Sequence, residues 1–209
     1  MDVRTGEVLA LATAPTFNPD DRTKTPAPDA LRNVAIGDVY EPGSVNKVIT
    51  AAAALEAGVV TPDTPITVPP TLRVADHIVH DAEQHGVEHL TFAGVLAKSS
   101  NIGTVEVAQQ VGSQGLYDAM KRFGYGEKTG LGLPGESRGL LPKPADWSGT
   151  SIATIPIGQG VSVNVMQVAS VYATVANGGV RVTPTVVKAV ADPSGHLVPA
   201  TRDAPRRVI

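Results

Sequence analysis

Tyr40-Glu41-Pro42-Gly43-Ser44-Val45-Asn46-Lys47 runs without a break into the apolar segment Val48 to Gly58. Pro42 and Gly43 interrupt the backbone where Ser44 and Lys47 open a predicted helix. The helix reads VITAAAALEAG, nearly all alanine and aliphatic, and Gly58 is a natural left-handed stop. A helix apolar on every side is buried, so this one is expected at the centre of the fold. Ser44 falls in its first turn, and Lys47, three residues on, lies on the same face.

That pairing has a specific chemistry. A serine hydroxyl is a weak nucleophile unless a base within hydrogen-bond reach removes its proton. A lysine can be that base when its ammonium is destabilised, and both a helix N-terminus and an apolar surround lower its pKa. The same N-terminus offers N–H groups to a developing oxyanion. The plainer alternative makes Ser44 a cap and Lys47 a solvated charge. S-x-x-K arises by chance about once in a chain of this size, so by itself it is weak.

A second element strengthens it. Lys98-Ser99-Ser100-Asn101 precedes another helical pattern, Ile102 to Val111, with Ile102, Val105, Val107 and Ala108 on its apolar side. Ser and Asn before a helix are commonly caps. An S-x-x-K joined by S-x-N is also part of the signature of penicillin-recognising serine enzymes. Here the chain resembles the transpeptidase domain of class B penicillin-binding proteins. The resemblance is carried by MDVRTGEVLALA, FNP, RN, YEPGSVNK, AAALE, GVVTPDT, HD, LAKSSNIG, FGYG, TGLGLPGE, GQGVSVN, Q, YATVANGG and P, and so covers essentially all 209 residues.

Composition excludes several classes. A net charge of −3 gives no electrostatic reason for nucleic acid or an anionic membrane as partner. Aromatics at 4% leave no stacking platform for bases. The absence of cysteine removes disulfides and thiolate metal sites. No window approaches the ~18 apolar residues of a membrane span, so the chain as written is expected to be soluble. At 209 residues it can hold one large domain with a sizeable core.

Along the chain, DVRTG reads as a turn and Glu7 to Ala12 as a buried strand. Residues 14–39 are a Pro- and Asp-rich loop containing APTFNPDD and TPAPDA. VTPDTPITVPPTL is a proline-punctuated loop or short edge strand. His77, His80, His85 and His89 with Asp76 and Asp81 invite a metal reading, but the segment shows no helical face, and a polar, partly exposed loop is the better account. Thr91 to Ala97 is a short helix delivering the Ser99–Asn101 turn, and Gly115 to Phe123 is amphipathic. Lys128-Thr129-Gly130 spells K-T-G inside a Gly-rich loop and is rejected as a catalytic motif. It also lacks the order of a phosphate loop. Trp147 is expected to pack an irregular loop down. Gly158-Gln159-Gly160 is not a dinucleotide fingerprint, and leads into a helix over Val165 to Asn177 capped near Asn164. Arg181 to Val190 alternates as a strand, with a hairpin arm returning at His196 to Val198. The terminal TRDAPRRVI is basic and polar.

The resemblance implies an α/β (α+β type) fold of the penicillin-binding, serine β-lactamase-like kind: an antiparallel sheet flanked by helices over residues 1–209, with an inserted helical subdomain over residues 60–154. It implies a peptidoglycan D,D-transpeptidase acting by an acyl-serine mechanism, without cofactor or metal. Ser44 is the expected nucleophile and Lys47 its general base. Ser99 relays a proton to the leaving amine, and Asn101 holds the substrate amide and orients Lys47. Gln159 and Gly160 line the cleft floor and contact substrate, although a tight turn without such contact serves equally well. The implied partners are the D-Ala–D-Ala stem peptide, β-lactams, and divisome or elongasome membrane proteins reached through regions outside this sequence. The implied location is the outer face of the cytoplasmic membrane, with an N-terminal anchor in the full-length protein. The resembled domain continues past Ile209 to a strand bearing K-[ST]-G, so the 209-residue polypeptide alone is expected to be C-terminally truncated and inactive or poorly folded. The competing readings are a serine β-lactamase, for which no segment supplies a deacylating water, and a non-catalytic penicillin sensor or divisome scaffold.

Overall fold

The computed structural model describes residues 1–21, 23, 31–200 and 203–209; the TPAPDA loop and the Thr201-Arg202 pair lie outside the described residues. In chain order the elements are α1 (Val34–Gly37), α2 (Lys47–Glu56), β1 (Pro65–Val68), β2 (Leu72–Val74), β3 (His77–Val79), β4 (Glu88–Thr91), α3 (Phe92–Lys98), α4 (Asn101–Phe123), α5 (Ser151–Thr154), α6 (Val165–Ala176), β5 (Val180–Arg181), β6 (Ala189–Ala191), β7 (Leu197–Pro199) and β8 (Arg206–Arg207). Among the described residues the ladders are antiparallel, in four two-stranded pairs: β1–β4, β2–β3, β5–β8 and β6–β7. The chain divides into two compact units: one comprises Tyr40–Tyr125 with Leu140–Ser162, the other Met1–Val39, Gly126–Gly139 and Val163–Ile209.

The unit spanning Tyr40–Tyr125 and Leu140–Ser162 is organised on α2. A 3₁₀ turn over Gly43–Asn46 precedes it, so the regular helix begins at Lys47 rather than Ser44. It closes at Glu56, and Gly58 follows with φ +68°, the conformation expected of a stop. Alanines let α4 approach closely, and Ala51 and Ala54 share one core with Val68, Val95, Ile102, Val105 and Val107. Thr91 caps α3 by accepting from Gly94 N–H at 3.1 Å, and Ser100 caps α4 by accepting from Gly103 N–H at 3.0 Å. The two helices expected over Ile102 to Val111 and Gly115 to Phe123 make up the two parts of α4, separated at Gly112, whose φ of +77° with ψ 163° breaks the helical path.

In the other unit, α6 starts in a reciprocal box: Asn164 accepts from Gln167 N–H and the Gln167 side chain accepts from Asn164 N–H, each at 2.8 Å. The expected Glu7–Ala12 strand is reduced to one bridge, Glu7 with Thr185, and Leu9 is 73% exposed. Arg181 to Val190 is likewise divided between β5 and β6. Past Thr185 the ladder with Glu7 cannot continue, because the Thr185 hydroxyl accepts from Val187 N–H and donates to Val187 O, each at 3.0 Å.

Candidate active site

Ser44 is exposed within the Gly43–Asn46 turn, and Lys47 N–H bonds back to the Ser44 carbonyl. In 3₁₀ geometry residues three apart eclipse, which sets the two side chains one above the other on the same edge. Lys47 is 1% exposed. Its Nζ donates to Ser99 O at 2.5 Å, Ser99 Oγ at 3.1 Å and Asn101 Oδ1 at 2.7 Å. Those three acceptors match the three N–H of an ammonium, and Ser44 Oγ is not among them. The structure therefore brings Lys47, Ser99 and Asn101 into direct contact, with Ser44 one turn away.

Local folding explains why Ser99 presents two oxygens to one amine. It ends α3 in the left-handed region (φ +56°), an unusual conformation for a residue with a Cβ. The reversal aims its carbonyl and hydroxyl at Lys47 while the chain turns into α4. Asn101 opens α4, and its Nδ2 donates to His80 O at 2.8 Å, which fixes the amide with Oδ1 toward Lys47.

Burial lowers the Lys47 pKa from 10.5 to about 8, against the opposing charge of Asp81. At neutral pH the resting amine thus holds its proton, while roughly one molecule in ten carries a free base. Burial also acts on Asp81 in the direction of a raised pKa. Hydrogen bonds from Ile102 N–H, the Ser100 hydroxyl, Asn101 N–H and His85 overcome it, and the net shift is downward.

A second set of contacts fastens the 155–160 loop to the nucleophile segment. Gly43 N–H donates to Gly158 O at 3.0 Å. Buried Asn46 donates through Nδ2 to Ile155 O at 3.0 Å, and buried Thr50 through Oγ1 to Pro156 O at 2.8 Å. Gly158 has φ +84°, and a Cβ there would stand 2.2 Å from Gly43 O. Gly160 N–H donates to Glu41 Oε1 at 2.8 Å, which places Gly160 against the residue three before Ser44 and engages its N–H within the chain. Gln159 is exposed, and its N–H bonds to Thr154 O at 3.1 Å.

The histidine-rich stretch places a carboxylate against the start of α4. Asp81 Oδ1 accepts from Asn101 N–H at 2.5 Å and Ile102 N–H at 3.0 Å, and Oδ2 pairs with His85 Nε2 at 3.2 Å. In the sequence Asp81 shows only as part of the His80-Asp81 dipeptide and of the acidic and histidine cluster that invites a metal reading. Trp147 holds its loop through Nε1, which donates to Pro142 O at 3.2 Å. In the literal K-T-G, Thr129 N–H and Oγ1 both donate to Glu136 Oε1, at 2.6 and 2.5 Å, so that hydroxyl serves a loop.

A family model described as penicillin binding protein transpeptidase domain matches residues 1–208. Penicillin-binding protein PbpB of Mycolicibacterium smegmatis is 44% identical over 209 residues, all of this chain and 32% of that protein. Peptidoglycan D,D-transpeptidase FtsI of Escherichia coli K12 is 39% identical over 209 residues, all of this chain and 34% of that protein. The crystal structure of penicillin-binding protein 3 from Mycobacterium tuberculosis complexed with aztreonam superposes with a TM-score of 0.95 at 43% identity, covering 100% of this chain and 47% of that one. The chain spans about a third of the length of these curated relatives.

Proposed function

This chain belongs to the penicillin-binding protein transpeptidase family, and from that premise we propose that the protein carrying it is a peptidoglycan D,D-transpeptidase that works through an acyl-serine at Ser44. The supporting observation is the buried Lys47 amine, one turn beyond an exposed serine, with its pKa brought to about 8. Neutral Lys47 takes the Ser44 proton as Oγ attacks the carbonyl of the D-Ala–D-Ala bond. Ser99 passes that proton to the departing D-Ala nitrogen, the C–N bond breaks, and the acyl group remains on Ser44. The amine of a second stem peptide then attacks the ester and gives up a proton to Lys47. An amide cross-link forms and Ser44 is released.

Asn101 holds Lys47 and, in this reading, the substrate amide. Gln159 and Gly160 border the cleft; with the Gly160 N–H bound to Glu41, the Gln159 side chain is the group left to meet substrate. A β-lactam presents its strained carbonyl to the same hydroxyl. The penicillin-binding protein 3 complexes with aztreonam and ampicillin support that step. Residues 60–154 form the helical insert of the domain in this reading. The outer face of the cytoplasmic membrane, where stem peptides are joined, is the proposed place of action, with divisome or elongasome proteins as partners. No described helix is long and apolar enough to cross a membrane.

Labelling of the full-length protein with a fluorescent penicillin, with Ser44→Ala alongside, tests the proposal. Label on the wild type, none on the variant, and cross-linked product from stem-peptide substrate are expected. Label that survives Ser44→Ala overturns the site. A stable label without cross-linking identifies a sensor, and rapid loss of the label identifies a β-lactamase.

A further inference from the structure

We propose that Asp81 is a positioning residue for the acyl-transfer site: its carboxylate seats the first turn of α4 so that Asn101 faces Lys47, and its negative charge keeps the resting proton on Lys47. This deepens the acyl-serine reading and rests on it. One oxygen of Asp81 takes two consecutive backbone N–H groups, Asn101 at 2.5 Å and Ile102 at 3.0 Å. The adjoining residue, His80, holds the Asn101 amide from the other side through its carbonyl at 2.8 Å. Residues 80 and 81 thus fix both the backbone and the side chain of the residue that receives Lys47 Nζ.

The Asp81 side chain is only 10% exposed, so water screens its charge poorly and Lys47 feels it. The charged and polar groups facing Asp81 are Lys47 of α2, the Ser100 hydroxyl and N-terminal N–H groups of α4, and His85 of its own loop. His85 is in turn placed to carry a proton, with Nδ1 2.6 Å from Gly86 O and Nε2 3.2 Å from Asp81 Oδ2, so both ring nitrogens face acceptors. Glu88 of β4 adds to that tendency, while itself paired with Lys98 at 2.5 Å.

Asp81→Asn separates charge from geometry, because the amide oxygen can still accept both N–H groups. Without the negative charge the Lys47 ammonium is less favoured. The midpoint of the rise of Ser44 acylation with pH then moves to lower pH, by roughly half a unit or more. The experiment is the rate of labelling of the full-length protein by a fluorescent penicillin across pH, for wild type and Asp81→Asn, with thermal unfolding as a check on folding. A folded variant whose midpoint stays or rises overturns the proposal. Should Asp81→Asn not fold, Asp81→Ser, whose hydroxyl also caps a helix without charge, reads the same shift. Failure of both variants to fold makes Asp81 a structural residue and overturns the proposal too. A wild type that takes no label at Ser44 removes the acyl-serine reading itself, whereas a labelled wild type with an unmoved variant removes only this inference.

Discussion

Lys47 Nζ lies 2.7 Å from Asn101 Oδ1, across 54 residues of sequence, and both groups are held from behind by independent contacts. Lys47 is held by its helix and by Ser99, and Asn101 by His80 and Asp81. Two elements that each look like an ordinary helix start thereby become one site.

Replacement of Asn101 separates its two roles. Asn101→Ala removes the acceptor and is expected to slow Ser44 acylation by roughly one to two orders of magnitude. Asn101→Asp sets a carboxylate beside the amine and stabilises the ammonium, so the rise of rate with pH moves upward by about one unit or more. Stopped-flow acylation across pH distinguishes the two.

Lys47 also links folding to pH. Its folded pKa of about 8 lies below the ordinary 10.5. Between those values the unfolded chain holds a proton that the native chain has released, so this residue makes stability rise with pH there, with no contribution to the slope below the lower or above the higher value. Lys47→Met deletes that rise. Urea unfolding at about pH 7 and about pH 9.5 is expected to show a larger alkaline gain for wild type than for the variant. Equal pH dependence contradicts the burial of a titrating amine.

The 155–160 loop offers a graded test of how Ser44 is held. Gly158→Ala must open the contact with Gly43 O and is strained at φ +84°, so a loss of about 3 kcal/mol or more is expected, with labelling lost. Thr50→Val takes the 2.8 Å donor from Pro156 O and is expected to cost about 1–2 kcal/mol. Gly178→Ala is the control: its φ is +63° but nothing lies within 4 Å of an added Cβ, and a cost of about 1 kcal/mol is expected. Thermal unfolding measures all three.

The parts of the fold legible in the sequence are those fixed by neighbours along the chain. The all-apolar run after Lys47 placed α2, Asn164 placed the start of α6, and the serines and asparagine before Ile102 placed the α3–α4 turn. Contacts between distant segments were not legible. Nothing local marks Asp81 as the carboxylate on α4, because its partners are backbone N–H groups 20 and 21 residues away. Nor does composition show that Gly160 N–H meets Glu41 across 119 residues. The Glu7–Ala12 strand failed for a related reason: alternation describes one strand, whereas a ladder needs a partner, and on the partner the Thr185 hydroxyl occupies the Val187 N–H and carbonyl that would continue it. The two helical stretches of α4 were legible as separate patterns, because Gly112 breaks the helical path between them with φ +77° and ψ 163°.

The most direct measurement is the pH dependence of acylation at Ser44 by a β-lactam, with the modified peptide identified by mass spectrometry. The rate should climb close to tenfold per pH unit at the acid side and level off near pH 8, where Lys47 loses its proton, and Lys47→Met should abolish it. A rate that is flat or falls through pH 8, or an adduct on Ser44 that persists in Lys47→Met, would show that the buried amine is not the base.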